Sequence, residues 1–233
     1  MHHNFWLANQ TVYWNGSDSE DRFNLNCKDP QKLKLLQALG WAAPDCNISY
    51  TFNSFGFRDE EFDQRPCGIA LGCSHTQGIG IPQSAAWPSV LSKLTGTHVW
   101  NLGVGGSSID TCFRLLDHWL PILKPQFVTL CIPPAERVEV FDRSHPASIM
   151  HSQTEPDYLH SYFKVWASND SNAVISKRKN MLAMQHLCDL SRIPLRYLDS
   201  AEWITQGYAR DLMHHGVNAN EEFAHKMHQL LLI

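Results

Sequence analysis

The chain has 233 residues, of which 43% are hydrophobic and 18% charged, and its formal net charge at pH 7 is −4. This length and composition fit one globular domain with ample length to bury a core, and they exclude a disordered chain. The negative net charge argues against nucleic-acid binding, which needs a basic face, and no apolar stretch is long enough for a transmembrane helix.

Cysteine usage and the N-terminal sequence bear on the compartment. The seven cysteines are an odd number without a Cys-x-x-Cys pair, which predicts reduced, buried thiols and no disulfide framework. The first residues lack the basic start and long apolar core of a secretory signal, so we expect a cytoplasmic protein, with association to a virion or another assembly left open. No metal-binding spacing occurs and we interpret His225 and His228 as a solvated helix face, so we expect neither a metal nor a cofactor.

The first 60 residues differ in character from the rest. They form an aromatic-rich, irregular N-terminal extension with one predicted helix over 29–39, between an Asp-Pro start and Gly40. We expect this extension to pack on a main domain formed by residues 61–233. Its aromatic surface is also a candidate contact for an assembly partner.

From Cys67 onward, short apolar strands alternate with amphipathic helices. The predicted strands cover 67–71, 97–102, 126–132 and 195–199. The predicted helices cover 85–94, 108–120, 171–191 and a final helix from near Asn220, with Phe223, Met227, Leu230 and Leu231 facing inward. Residues 142–170 are unassigned. This alternation predicts a parallel sheet with helices on both faces.

Three unusual segments follow predicted strands. Ser74 follows the first strand, a glycine-rich segment from Gly103 to Gly106 follows the second, and Asp211 and His214 follow the last. In an open parallel sheet, ligands bind at the carboxyl ends of the strands. A serine needs an imidazole to become a nucleophile, and the imidazole needs a carboxylate to orient it. Glycines let backbone N–H groups approach a developing oxyanion.

Each segment also has an ordinary interpretation. A serine after a strand is commonly a helix cap or turn residue, and an Asp-x-x-His spacing arises by chance. The glycine segment nearly matches the dinucleotide fingerprint, but Ser108 stands at the third glycine position and no acidic residue ends the following strand. Thiol catalysis by Cys73 is a weaker alternative, because adjacent residues on a turn point in different directions.

From about Asn53 onward the chain resembles the SGNH (GDSL-type) hydrolases. The motifs that carry the resemblance are Gly72–Thr76 for the first block, Asn101–Ser107 for the second and Asp211–Gly216 for the last, with Asn53–Asp59 typical of a subset. The resemblance implies that Ser74 is the nucleophile, that Asp211 and His214 complete a triad, and that the N–H groups of Ser74 and Gly106 form the oxyanion hole.

The chain departs from the family pattern in two places. Cys73 replaces the aspartate that usually precedes the nucleophile. The third block, normally Gly-x-Asn-Asp, should follow the strand at 126–132, where this chain has Pro133–Arg137, so the asparagine that donates to the oxyanion is missing. Arg137 is a candidate replacement. The alternative is that Arg137 pairs with Glu136, Glu139 or another surface carboxylate. The oxyanion hole would then have two donors, the N–H groups of Ser74 and Gly106.

The resemblance and the pattern together predict a flavodoxin-like three-layer α/β/α sandwich with a mostly parallel sheet. The predicted function is a serine esterase that works through an acyl-enzyme, without a cofactor, on a small-molecule or carbohydrate ester. A short acyl or O-acetyl group is the substrate class that the resemblance implies. The alternative is a non-catalytic, carbohydrate-binding or structural subunit of a larger assembly.

Overall fold

The structure, a computed structural model, describes residues 7–43, 46–141, 146–149, 157–200 and 207–233. The strands are β1 Thr11–Val12, β2 Tyr50–Thr51, β3 Cys67–Leu71, β4 His98–Asn101, β5 Phe127–Ile132, β6 Val138–Phe141, β7 Pro146–Ile149 and β8 Leu195–Asp199. The helices are α1 Glu20–Lys28, α2 Pro30–Ala38, α3 Ser74–Gln77, α4 Trp87–Thr95, α5 Ile109–Leu123, α6 Asp157–Ala167, α7 Asp170–Ser191 and α8 Val217–Leu231.

The central sheet has four parallel strands in the order β4-β3-β5-β8. Ile69 in β3 lies opposite Trp100 in β4 on one side and Val128 in β5 on the other. The prediction of a parallel α/β sheet is confirmed, and each of its four strands matches the predicted bounds to within one residue. Strand β3 is central and buried along its length, so the loop that follows it opens at the middle of the sheet edge.

Helices cover both faces of this sheet. Alternate strand residues point to opposite sides, so the apolar strands present side chains to be buried on each face. On one face, Ile69 and Leu71 pack in a core with residues of α5 and α7, and on the other Ala70 packs with residues of α4 and α8. The predicted flavodoxin-like three-layer architecture is therefore confirmed. Helix α8 begins three residues earlier than expected, and Phe223 and Met227 are buried as predicted.

The N-terminal residues form more regular structure than their sequence suggested. Helix α2 matches the predicted helix, with Asp29 accepting hydrogen bonds from the N–H groups of Gln31 and Lys32. Helix α1 is an addition that the sequence analysis missed, although Ser19 caps it by accepting from the Arg22 N–H at 3.2 Å. The division of the chain at residue 60 stays a prediction.

A third apolar core joins this N-terminal region to the rest of the chain. Leu36, Trp41 and Tyr50 pack there with Ile81 and Ala209, which come from the later sequence. Because this core lies next to the loop after α3 and the loop before α8, the N-terminal residues are close to the carboxyl edge of the sheet.

The unassigned stretch at 142–170 is only partly described. Within it, β7 pairs antiparallel with β6, and α6 runs to Ala167. Among the described residues, no helix combines the length and the apolar composition needed to cross a membrane.

Candidate active site

Ser74 lies at the point where the central strand ends. Strand β3 stops at Leu71, and Ser74 begins the short helix α3 two residues after Gly72. The carbonyl of Gly72 accepts hydrogen bonds from the Ser107 hydroxyl at 3.0 Å and from the Val104 N–H at 3.1 Å. These contacts fix the Ser74 loop against the glycine-rich loop that follows β4. The neighbouring Cys73 is fully buried, so its thiol is not open to a substrate.

Asp211 and His214 lie on a tight loop before α8. Oδ1 of Asp211 accepts the backbone N–H groups of Met213 and His214, both at 3.0 Å. Leu212, which follows Asp211, has a φ of 55°, a left-handed conformation that costs a non-glycine residue about 1–2 kcal/mol. The loop is held in this shape by the hydrogen bond from the Ala209 N–H to the His214 carbonyl at 2.9 Å.

The structure brings the three predicted triad residues into one chain of contacts. Nε2 of His214 lies 2.8 Å from Oγ of Ser74, and Nδ1 of His214 lies 2.6 Å from Oδ2 of Asp211. Burial by itself raises the pKa of Asp211, but hydrogen bonds from His214 and Ser17 outweigh it, and the pKa lies well below its ordinary value. An ionised Asp211 favours the tautomer in which Nδ1 carries the proton and Nε2 is free to accept from Ser74.

The two backbone amides expected to form an oxyanion hole are available. In the part of the chain that the structure describes, neither the Ser74 N–H nor the Gly106 N–H makes a hydrogen bond. Gly106 has a φ of +77°, which favours glycine there. At Gly103 a Cβ atom would collide with the backbone of Gln77, so glycine also allows the two loops to pack closely.

Arg137, the candidate replacement for the missing asparagine, lies near this loop. Its Nη1 is 3.4 Å from the carbonyl of Ser107, the residue after Gly106. The predicted alternative pairing with Glu139 is not found, because that carboxylate accepts from Nε and Nη2 of Arg114 at 2.9 and 2.6 Å. Among the described residues, Arg137 makes no ion pair with a carboxylate.

The ring of a further histidine, His75, contacts both His214 and its neighbour His215. The ring of His75 lies 4.8 Å from the rings of both His214 and His215, measured between centroids. Burial, followed by the nearby charges of His214, His215 and Arg137, lowers the pKa of His75 to about 3. His75 is therefore neutral near pH 7. Over the described residues, no group of three or more His, Cys, Asp or Glu side chains is arranged to hold a metal ion.

Sequence analysis missed one polar side chain at this site. The hydroxyl of Ser17, from the N-terminal region, donates to Oδ2 of Asp211 at 2.6 Å and lies 3.3 Å from Nδ1 of His214. The next residue, Asp18, forms a buried ion pair with Arg210, the residue before Asp211. No motif or periodicity marks Ser17, because these contacts join positions almost 200 residues apart.

Of three comparisons with known proteins, the one with solved structures found matches. No protein-family model and no curated protein matches the chain. The chain is similar to G-D-S-L and SGNH esterases. One is a protein from Desulfitobacterium hafniense described as lipolytic and of the G-D-S-L family, with 12% identity, 70% of this chain and 98% of that chain covered, and a TM-score of 0.41.

Two other solved structures are of the same kind. The esterase AlinE4, of the SGNH-hydrolase family, has 13% identity over 71% of this chain and 75% of its own, with a TM-score of 0.37. An acetyl xylan esterase from Butyrivibrio proteoclasticus has 11% identity over 74% of this chain and 64% of its own, with a TM-score of 0.41. What this chain does must therefore follow from its own contacts.

Proposed function

We propose that the protein is a serine hydrolase that cleaves a carboxylic ester through an acyl-enzyme. The observation that carries this proposal is the contact chain from Ser74 through His214 to Asp211, with heavy-atom distances of 2.8 and 2.6 Å. Distances of this size permit proton transfer between serine and imidazole. A helix cap or a turn residue needs neither an imidazole on its hydroxyl nor a buried carboxylate behind that imidazole.

The first half of the reaction acylates Ser74. Oγ of Ser74 attacks the ester carbonyl carbon while Nε2 of His214 takes the hydroxyl proton. The carbonyl oxygen becomes an oxyanion that accepts hydrogen bonds from the N–H groups of Ser74 and Gly106. Collapse of the tetrahedral intermediate breaks the ester C–O bond, and His214 returns the proton to the leaving alcohol.

The second half regenerates the enzyme. Water attacks the acyl carbon while Nε2 of His214 takes one of its protons. The second tetrahedral intermediate collapses with cleavage of the bond between the acyl carbon and Oγ of Ser74, and His214 returns the proton to Oγ as the carboxylic acid leaves. Asp211 stays ionised throughout and stabilises the imidazolium that forms in each half. No cofactor takes part in either half-reaction.

The oxyanion hole is the part in which this chain differs from the family pattern. Each N–H donor contributes about 3–4 kcal/mol to transition-state stabilisation. Two backbone donors support turnover without the missing asparagine, and the position of Arg137 beside Ser107 supports its role as a third donor. The substrate class that we propose is a short acyl or O-acetyl carbohydrate ester, on the basis of the sequence motifs.

Labelling by a fluorophosphonate probe tests the proposal, because this reagent reacts with an activated serine. We expect stoichiometric labelling of the wild-type protein and none of Ser74→Ala. The matched control is Ser84→Ala, which removes an exposed serine of the same chain and should label as the wild type does. A wild-type protein that neither labels nor hydrolyses p-nitrophenyl acetate would favour the non-catalytic subunit instead.

A further inference from the structure

A tight turn in the N-terminal region places a hydroxyl against the proposed triad. The turn is closed by the Asn15 N–H to the Asp18 carbonyl at 2.9 Å and the Asp18 N–H to the Asn15 carbonyl at 3.1 Å. Gly16 occupies its left-handed position with a φ of +60°. Ser17 follows Gly16, and its Oγ donates to Oδ2 of Asp211 at 2.6 Å.

The position of Ser17 is fixed by contacts other than its own. The neighbouring Asp18 accepts from Nε and Nη2 of Arg210 at 2.9 and 2.7 Å, and both side chains are at most 5% exposed. The hydroxyl of Tyr50 also donates to Asp18, at 2.5 Å. Two consecutive residues of the turn therefore hold two consecutive residues of the loop that carries Asp211. A bidentate, buried ion pair of this kind has one favoured geometry, so the turn cannot slide along the loop.

Ser17 completes the hydrogen bonding of a buried carboxylate. An ionised aspartate has about four acceptor positions. In Asp211, two are filled at Oδ1 by the backbone N–H groups of Met213 and His214, and two at Oδ2 by Nδ1 of His214 and the hydroxyl of Ser17. The backbone N–H groups bind Oδ1 and the Ser17 hydroxyl binds Oδ2 of the same planar group. Together they set its rotation about the Cβ–Cγ bond and keep Oδ2 facing the imidazole.

We infer that Ser17 is a positioning residue for the reaction, which makes the N-terminal region part of the catalytic apparatus. The inference rests on the proposed function. The hydroxyl of Ser17 contacts Oδ2 of Asp211 and, at 3.3 Å, Nδ1 of His214, and it exchanges no proton with substrate. It acts through Asp211, whose Oδ2 must lie in line with Nδ1 of His214 when the imidazole becomes a cation.

Three variants separate positioning from folding. We expect Ser17→Ala to lower kcat for p-nitrophenyl acetate roughly 10-fold with KM unchanged, since a lost hydrogen bond to a charged group has about this effect. Ser17→Thr keeps the hydroxyl and should recover most of the lost rate. The control is Ser19→Ala, which removes a cap of α1 two residues away without touching Asp211 and should keep the wild-type kcat.

A spectroscopic measurement decides the same point without turnover. The proton between Nδ1 of His214 and Asp211 should give a downfield proton resonance, assigned by its loss in His214→Ala. We expect that resonance to shift in Ser17→Ala and to stay in place in Ser19→Ala. A wild-type protein without hydrolysis or labelling would overturn the proposed esterase, while this resonance would still report on Ser17. An unshifted resonance in Ser17→Ala, or an equal loss of kcat in Ser19→Ala, would overturn the positioning role.

Discussion

Replacing Asp18 by alanine should destabilise the protein strongly, because it removes the carboxylate that pairs with the buried guanidinium of Arg210 and, among the described residues, leaves that charge only the Tyr13 carbonyl and the Trp14 ring. Asp18 is 1% exposed and accepts two hydrogen bonds from Arg210 and one from Tyr50. Removing one member of a buried ion pair costs about 3–5 kcal/mol. The free energy of unfolding of a whole domain is roughly 5–15 kcal/mol, so this single change should remove a large part of it.

Urea denaturation and calorimetry at pH 7 measure this effect. A loss of this size corresponds to a fall in Tm on the order of 10 °C for a chain of this length. The control is Glu222→Ala, which removes a partly exposed ion pair with Lys226 and should change the free energy of unfolding by under about 1 kcal/mol. If Asp18→Ala unfolded at the same urea concentration as Glu222→Ala, the ion pair to Arg210 would not hold the N-terminal turn as the structure indicates.

Three other predictions concern the site itself. Ser74→Ala and His214→Ala should each abolish p-nitrophenyl acetate hydrolysis, because nucleophile and base act as a unit, and full turnover in Ser74→Ala would place the activity elsewhere. Asp211→Asn should be milder, because Asp211 orients His214 and takes no proton itself. Arg137→Ala should lower kcat by roughly 10²-fold with little change in KM, measured by steady-state kinetics, and normal turnover would leave a two-donor oxyanion hole. His75 stays neutral in the folded state but binds a proton when unfolded, so its contribution to stability should fall between pH 6.5 and pH 4.5 by at most about 1.4 kcal/mol per unit; urea unfolding of His75→Gln should show a smaller fall, and an equal one would refute the assignment.

The strands of the sheet and most of its helices could be predicted from the sequence. Strands β3 and β8 have the predicted bounds. Strand β3 is a buried apolar run that ends at Gly72, and β8 begins directly after Pro194. Helix α2 was readable for a similar reason, since Asp29 caps it and Pro30 opens it. Helix α1 has a cap at Ser19 but few apolar residues. Its amphipathic pattern is therefore weak, and the sequence did not predict it.

The candidate site was also predicted in part from the sequence and in part only from the tertiary structure. The sequence by itself determined that Ser74, Asp211 and His214 follow strands of one parallel sheet, because strand and helix periodicity are local and the carboxyl ends of such strands share an edge. Tertiary structure alone decided that Ser17 completes the hydrogen bonds of Asp211 and that Asp18 holds Arg210 beside it. Those contacts join residues more than 190 positions apart. They depend on how the N-terminal region docks on the sheet edge, and no local propensity encodes that docking.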